Sequence, residues 1–258
     1  MKKILYTAIC LLFVNASFAQ NAHFTTSGTI EYDKTANMYA VIGKLLDAIE
    51  KMDKNALVYF QRNFDQYKKT QPQFRTLKGT LTFDGDKTLY TPTGPEPAFA
   101  GIYTPMADNT NTTYNDLTTH ISTSQKPLFE TTFIVKDTTL KINWKITDET
   151  QVIAGYTCRR ANAIVLDSVY VVAFYTDKIP VTGGPECFTG LPGMILKLAL
   201  PHENIIWTAT KVTDTSVPPI TEPKKGKLVD RKGLRAALAP ALKNAGPYGP
   251  VFLKALAL

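Results

Sequence analysis

The sequence predicts an α+β fold, mainly β: a curved antiparallel sheet, at its limit an open half-barrel, with one or two helices packed on it. Three observations predict this. From Thr113 to Val212, β-branched and aromatic residues recur in short alternating runs broken by Asp, Thr, Asn and Gly, the pattern of strands joined by tight turns. One early segment switches to three- and four-residue spacing, which marks an amphipathic helix. Strands and helices do not alternate as βαβ units, which argues against a parallel sheet.

The chain has 258 residues and a formal net charge of +7. It opens with Lys2 and Lys3, an apolar run from Ile4 to Val14, and small residues ending Ser17-Phe18-Ala19. That is the layout of a secretory signal peptide, so residues 1–19 are expected to be cleaved and the protein to be periplasmic or secreted. Cys10 leaves with it, and no small-residue lipobox precedes it. Removing Lys2 and Lys3 lowers the charge to +5. The remaining basic residues form no long stripe, so nucleic acid is not an expected partner. No run approaches the ~20 apolar residues of a membrane span, so no integral span is expected. Residues 20–258 read as one domain and as a monomer, with 216–258 a linker plus C-terminal helix.

Gly28-Thr29-Ile30-Glu31-Tyr32 alternates as a first strand. Met38, Val41, Ile42, Leu45, Leu46, Ile49 and Met52 form the stripe of a helix, continued by Leu57 to Tyr67 after a break around Asp53-Lys54-Asn55. Leu77 to Phe83 and Lys87 to Thr91 flank Asp84-Gly85-Asp86 as a hairpin. Residues 92–113, rich in Pro, Gly, Asn and Thr, read as a long surface loop. Strands follow at Leu128 to Val135, Leu140 to Ile146, Thr157 to Val165 and Val169 to Phe174, then Met194 to Leu200 and Ile205 to Val212. Ser216 to Gly226 reads as a linker or edge segment, and Leu234, Leu238 and Leu242 mark a last helix that Pro240 kinks or ends. The tail Val251 to Leu258 is apolar enough to dock on the body.

The densest group of special-backbone residues lies between Gly183 and Leu198, with four glycines and two prolines. Gly190-Leu191-Pro192-Gly193, entering a strand at Met194, reads as a turn of specified shape. It either shapes a binding surface or is an ordinary connection between strands. Cys158 and Cys187 are an even pair in an oxidising compartment and are expected to form a disulfide, worth roughly 3–4 kcal/mol for a loop of this length.

No catalytic motif is present: G-x-S-x-G, H-E-x-x-H and a phosphate-binding glycine loop are all missing. His23, His120 and His202 are isolated, and Asp148 with Glu149, or Glu186 with His202, could act as acid and base only through tertiary contacts. The leading expectation is a non-enzymatic envelope protein that binds an apolar or extended ligand, or an envelope partner protein, with no cofactor. The alternative is periplasmic copper handling, since Met38, Met194, His202 and the cysteines are soft ligand types, although their spacing forms no metal site. An enzyme whose site is assembled only in the fold ranks third.

Gly190-Leu191-Pro192-Gly193-Met194-Ile195-Leu196 resembles the signature of the GLPGLI family, exported proteins typical of Bacteroidetes. Gly28-Thr29-Ile30-Glu31-Tyr32, Leu81-Thr82-Phe83 with Leu89-Tyr90, Trp144-Lys145-Ile146-Thr147 and Ile153 to Cys158 with Ala161 resemble other elements of that family in the same order. So does the approach Phe174-Tyr175-Thr176-Asp177, Ile179-Pro180 and Gly184-Pro185. Arg160 stands where Lys is usual and Phe174 where Trp is common. The resemblance implies export in a diderm bacterium and, by fold analogy, a sheet like that of the lipoprotein carriers. The family is mostly of unknown function, so it supplies no catalytic residue.

Overall fold

The computed structural model describes residues 24–94, 102–128, 130–243, 245–246 and 248–258. The expected signal peptide 1–19, and residues 95–101 of the expected loop, lie outside the described residues. In chain order the elements are β1 (Ser27–Asn37), α1 (Met38–Met52), α2 (Lys54–Thr70), β2 (Phe74–Asp84), β3 (Lys87–Thr93), α3 (Pro105–Asp108), β4 (Thr112–Asp116), β5 (Ile121–Leu128) and β6 (Thr131–Thr138). Then come β7 (Lys145–Ile153), β8 (Tyr156–Val165), β9 (Val169–Thr176), β10 (Met194–Leu200), a 3₁₀ turn (Pro201–Glu203), β11 (Ile205–Asp214), β12 (Lys227–Val229), α4 (Arg231–Lys243) and α5 (Tyr248–Ala257).

All twelve strands join one sheet in the order β12-β6-β5-β4-β3-β2-β1-β11-β10-β9-β8-β7. Every neighbouring pair is antiparallel except β12 with β6, which is parallel. The expected fold class therefore needs correction in two respects. The sheet is mixed and open, ending in β12 and β7, and is not a half-barrel. The described residues also form five α-helices where one or two were expected.

The extra helices have local causes. Asp53 divides the early stripe: its N–H bonds to the Ile49 carbonyl at the end of α1, and its carboxylate accepts from Asn55 N (2.9 Å) and Ala56 N (3.1 Å) at the start of α2. Pro240 is tolerated inside α4 although it removes an intrahelical hydrogen bond. The apolar tail forms α5, which packs with α4 and β6 in a small core of Phe133, Val135, Leu234, Leu238, Leu242, Phe252 and Leu256. No described helix is long and apolar enough to cross a membrane.

The main core is built from α1 and one face of the sheet. Met38, Ile42, Leu45, Leu46 and Ile49 of α1 are all buried there, so the stripe lines no open groove. Alternation in β1 sends Ile30, Tyr32, Lys34 and Ala36 to the buried face, where Ile30 lies opposite Leu81 of β2 and Lys34 opposite Trp207 of β11. The connection from β9 to β10, residues 177–193, is itself buried over most of its length. Its backbone groups are satisfied by bonds such as Ile195 N to Gly183 O (2.9 Å), Met194 N to Ile179 O (3.0 Å) and Gly190 N to Thr182 O (2.9 Å).

Candidate functional site

The buried face changes character across the sheet. Register places Thr88 opposite Asn115, Asn115 opposite Ser122, Thr113 opposite Ser124, and Ser122 opposite Asp137, so β3, β4 and β5 contribute a band of polar side chains. Thr88, Thr113, Asn115, Ser122, Ser124 and Lys126 are all buried. Solvation disfavours such a band, since each polar group must find a partner once water is removed. Some partners lie within the band, as Thr113 Oγ1 with Ser124 Oγ (3.1 Å), and the Glu186 carbonyl and the Leu256 carbonyl supply others; two centres result.

The first centre surrounds Lys34. Its ammonium, 3 % exposed, bonds to Glu186 Oε1 (3.3 Å) and the Asn109 carbonyl (3.1 Å), and it lies 5.0 Å from the centre of the Trp207 ring. The cation over the ring follows directly from the Lys34–Trp207 cross-strand pair. Glu186 adopts a left-handed backbone, φ 53°, a strained conformation for a glutamate. Asn115 Nδ2 donates to the Glu186 carbonyl (3.2 Å), which fixes the orientation of that amide. Asn115 Oδ1 and Trp207 Nε1 are buried with no hydrogen-bond partner among the described residues. Burial, and next the Glu186 carboxylate, raise the Tyr90 phenol well above its usual range.

The second centre surrounds Lys126. A cavity of about 20 Å³, room for a single water, is lined by Ser122, Ser124, Lys126, Asp137, Cys187 and Arg231 among others. The end of the C-terminal segment, Leu256 to Leu258, closes it. Lys126 Nζ donates to the Leu256 carbonyl (3.0 Å), and among the described residues it has no ion-pair partner. Desolvation lowers its pKa, with Arg231 acting in the same direction and Cys187 and Glu186 opposing. Burial, and next Glu186, push the Cys187 thiol up to about 12, so it is a thiol and not a thiolate at neutral pH. At the other end of the cavity, Arg231 Nη1 lies 3.6 Å from Asp137 Oδ1, and Arg231 Nη2 donates to the Thr138 carbonyl (2.5 Å).

The residues singled out from sequence are distributed differently. Leu191 and Met194 are in the core, Gly193 is buried, and Gly190 and Pro192 are exposed. The expected disulfide is corrected: Cys158 and Cys187 are both free and buried. Cys158 stays on β8 with its Sγ against the Tyr156 carbonyl (3.4 Å), whereas the buried connection carries Cys187 across to the Lys126 cavity beside β5. Those two strands are separated in the sheet order by β4, β3, β2, β1, β11, β10 and β9. Glu186 and His202 do not meet: Glu186 pairs with Lys34, and His202 lies beside Tyr170. Asp148 and Glu149 pair with Arg159 and Arg160 at the surface.

Lys34, Asn115 and Lys126 were missed by the sequence reading. For Lys34 the available signal was a cation at a position whose alternation makes it inward-facing, since it continues Ile30 and Tyr32; for Lys126 the polar run Ser122 to Lys126 offers no such signal.

With this geometry established, comparison with known proteins adds three findings. A family model described as a protein of unknown function (Porph_ging), an uncharacterised Bacteroidetes-associated family, matches residues 165–197, which hold the end of β8, β9, the buried connection and the start of β10. No curated protein matches. Among solved structures, PNGF-II in its P2₁ crystal form is similar over 83 % of this chain and 33 % of that one, with 16 % identity and a TM-score of 0.51. The C2 form covers 79 % and 31 %, with 15 % identity and a TM-score of 0.47.

The chain thus spans about a third of the PNGF-II chain, and at this identity the likeness shows fold. PNGF-II is an enzyme, so the expectations of a non-enzymatic binding or interaction module and of no enzyme do not stand. The copper alternative also lacks support, because among the described residues no group of three or more His, Cys, Asp or Glu could hold a metal ion.

Proposed function

We propose that the chain is an exported protein of the GLPGLI kind, with residues 1–19 a cleaved signal peptide and 20–258 one domain, and that it carries an amine-dependent enzymatic site centred on Lys126. The observation that carries the reading is the enclosed Lys126 amine, with no counter-ion among the described residues, in a small cavity that it shares with Ser122, Ser124 and Cys187 and with apolar side chains such as Val135 and Leu140. A lysine in such surroundings has more of its neutral, nucleophilic form near neutral pH than a surface lysine has. The chemistry that uses a neutral amine is attack on a carbonyl group. The nitrogen lone pair forms a C–N bond while the C=O π pair moves to oxygen. Transfer of the two amine protons to that oxygen and loss of water leave an imine. The fold likeness to part of an enzyme is compatible with this reading and supplies no residue for it.

The test is reductive trapping. The folded protein is incubated with a small aldehyde and cyanoborohydride, and the adducts are located by peptide mass mapping. The expected result is an adduct at Lys126 that forms at lower pH than adducts at surface lysines and disappears in Lys126→Arg. Labelling confined to surface lysines at every pH overturns the reading.

A second reading has its own observation. Lys126 Nζ holds the Leu256 carbonyl in the last turn of α5, where a cation opposes the helix dipole. Under that reading Lys126→Met loosens α5 and the wild-type amine stays unreactive.

A further inference from the structure

We infer that the carbonyl compound taken by Lys126 is the smallest one, formaldehyde, and that Cys187 captures the resulting imine, so that a single carbon bridges the lysine nitrogen and the cysteine sulfur. This inference rests on the amine-dependent reading of Lys126 proposed above.

Size sets the substrate class. The space that Lys126 and Cys187 share is about 20 Å³, enough for one water, and Leu256, Ala257 and Leu258 close it. An aldehyde with a carbon chain has nowhere to put that chain. Formaldehyde has none: once its oxygen has left as water, one carbon remains, and it takes the place of the water. The lining also favours a neutral compound. Val135 and Leu140 are apolar, and Arg231 and Asp137 already answer each other's charge, so that end offers no unpaired charge to an ionic substrate.

Two nucleophiles meet at this space. Lys126 is 4 % exposed and Cys187 6 %. Burial is the largest influence on each, lowering the pKa of Lys126 and raising that of Cys187. Cys187 opposes the effect at Lys126, and Lys126 opposes it at Cys187, so the two groups lie within electrostatic reach of each other. A lysine shifted toward its neutral amine beside a protonated thiol is the pair that the chemistry needs. Ser122 and Ser124 line the same space, but a hydroxyl is a weaker nucleophile than sulfur, and that of Ser124 is engaged with Thr113 Oγ1 (3.1 Å).

The steps balance without an oxidant. The Lys126 nitrogen attacks the carbonyl carbon, both amine protons pass to the oxygen, and water leaves, which gives an N=CH₂ imine. A sulfur lone pair then forms the C–S bond while the C=N π pair moves to nitrogen, which takes the thiol proton. The product is an N–CH₂–S bridge. The flexible stem of lysine lets Nζ close on the sulfur as it gives up its bond to the Leu256 carbonyl (3.0 Å).

The experiment exposes the full folded protein to dilute formaldehyde at neutral pH and maps its peptides without reduction. The expected result is a cross-link between Lys126 and Cys187 with a mass gain of one carbon atom, absent when the protein is first unfolded in urea. Cys187→Ser should lose the link and keep reductive methylation of Lys126 by formaldehyde with cyanoborohydride. In the wild type, butanal with cyanoborohydride should label Lys126 about tenfold less than formaldehyde does, each aldehyde being normalised to an exposed lysine such as Lys51. Reductive labelling of Lys126 with no link to Cys187, or equal labelling by both aldehydes, overturns this inference and leaves the amine reading standing. Absence of any Lys126 adduct, with surface lysines labelled, overturns the amine reading and this inference with it. The wild-type map decides even where Cys187→Ser fails to fold.

Discussion

Replacing Gly193 with alanine should destabilise the protein far more than replacing Gly190, although the two frame the same turn. Gly193 has φ 145°, and a Cβ built there would lie 2.1 Å from the Thr176 carbonyl oxygen, 2.8 Å from its carbon and 3.1 Å from Asp177 Cα. Those atoms are backbone, held by the pairing of Met194 with Thr176 at the start of β10, so no rotamer change relieves the contact. Strain at an unfavourable φ costs about 1–3 kcal/mol, and forcing atoms into filled space costs about 1–3 kcal/mol more. Alanine returns roughly 0.4–1 kcal/mol by restricting the unfolded chain, which leaves a net loss of about 2–5 kcal/mol. At Gly190, φ 95°, the nearest atom to an added methyl would be Trp144 Nε1 at 3.9 Å, an ordinary contact. Only the strain remains there, about 1–3 kcal/mol, and the same return from the unfolded chain leaves a net loss of about 0–2.5 kcal/mol. For a domain of this size each kcal/mol moves Tm by roughly 2–4 °C. Thermal and urea unfolding followed by circular dichroism should therefore give a clearly larger loss for Gly193→Ala. Equal shifts, or no shift in either, would refute the claim that the turn is fixed by backbone approach at Gly193.

Three other outcomes follow from buried charge and burial. Removing one member of the Lys34–Glu186 pair, as Lys34→Met or Glu186→Gln, should cost about 3–5 kcal/mol in urea unfolding because the other is left uncompensated. The double variant Lys34→Met/Glu186→Leu should cost less than the two single changes summed, and strict additivity would count against the coupling. Both thiols should resist a disulfide reagent in the native protein and react in denaturant, because burial pushes Cys158 and Cys187 each up to about 12; rapid native labelling of either would contradict that. Burial alone would raise the Glu203 carboxyl, but Lys254 and Lys44 outweigh it and hold its pKa below the ordinary value. A depressed carboxylate contributes stability that is present above the unfolded value of about 4.3 and is lost as pH falls through the lower folded value. Amide exchange in α5 should accordingly accelerate relative to the main sheet on acidification, and Glu203→Gln should remove most of that pH dependence.

Much of the sheet was legible because its strands obey the period-two rule with apolar residues inward. Ile30 and Tyr32, Leu81 and Phe83, and Leu198 and Leu200 each announce a strand and the face it buries. The α1 stripe was legible for the same kind of reason at a helical period. What failed was register at the polar strands. β5, with Ile121 to Leu128 reading I-S-T-S-Q-K-P-L, carries polar side chains on both faces, so neither period stands out. Its outer face is covered by residues 222–225, through Thr123 to Glu222 (2.9 Å) and Gln125 to the Lys225 carbonyl (2.9 Å). A segment that reads as a linker or edge segment is therefore a cover, and it leads directly into the edge strand β12. The helix count failed because α5 is short and apolar on more than one side, which reads as a docked tail until its partners in α4 and β6 are known.

The site was less legible than the fold, and the reason is physical. Catalytic motifs can be read from sequence when neighbouring residues share the chemistry. Here the groups that meet come from β1, β3, β4, β5, β6, the start of α4 and a connection that crosses between them. The glycines of that connection did carry information, but about packing: a Cβ on Gly183 would sit 2.8 Å from Thr88 Cγ2, so the chain there presses against the polar band. The even cysteine count misled for a related reason. Parity is a statement about compartment, whereas pairing requires proximity, and the connection that brings Cys187 to Lys126 takes it away from Cys158. The more useful rule for a chain of this kind is to look for a lysine at a position where the strand pattern demands an apolar residue. Burying its ammonium without a partner is costly, so the fold must supply partners, as the Glu186 carboxylate and the Asn109 carbonyl do for Lys34.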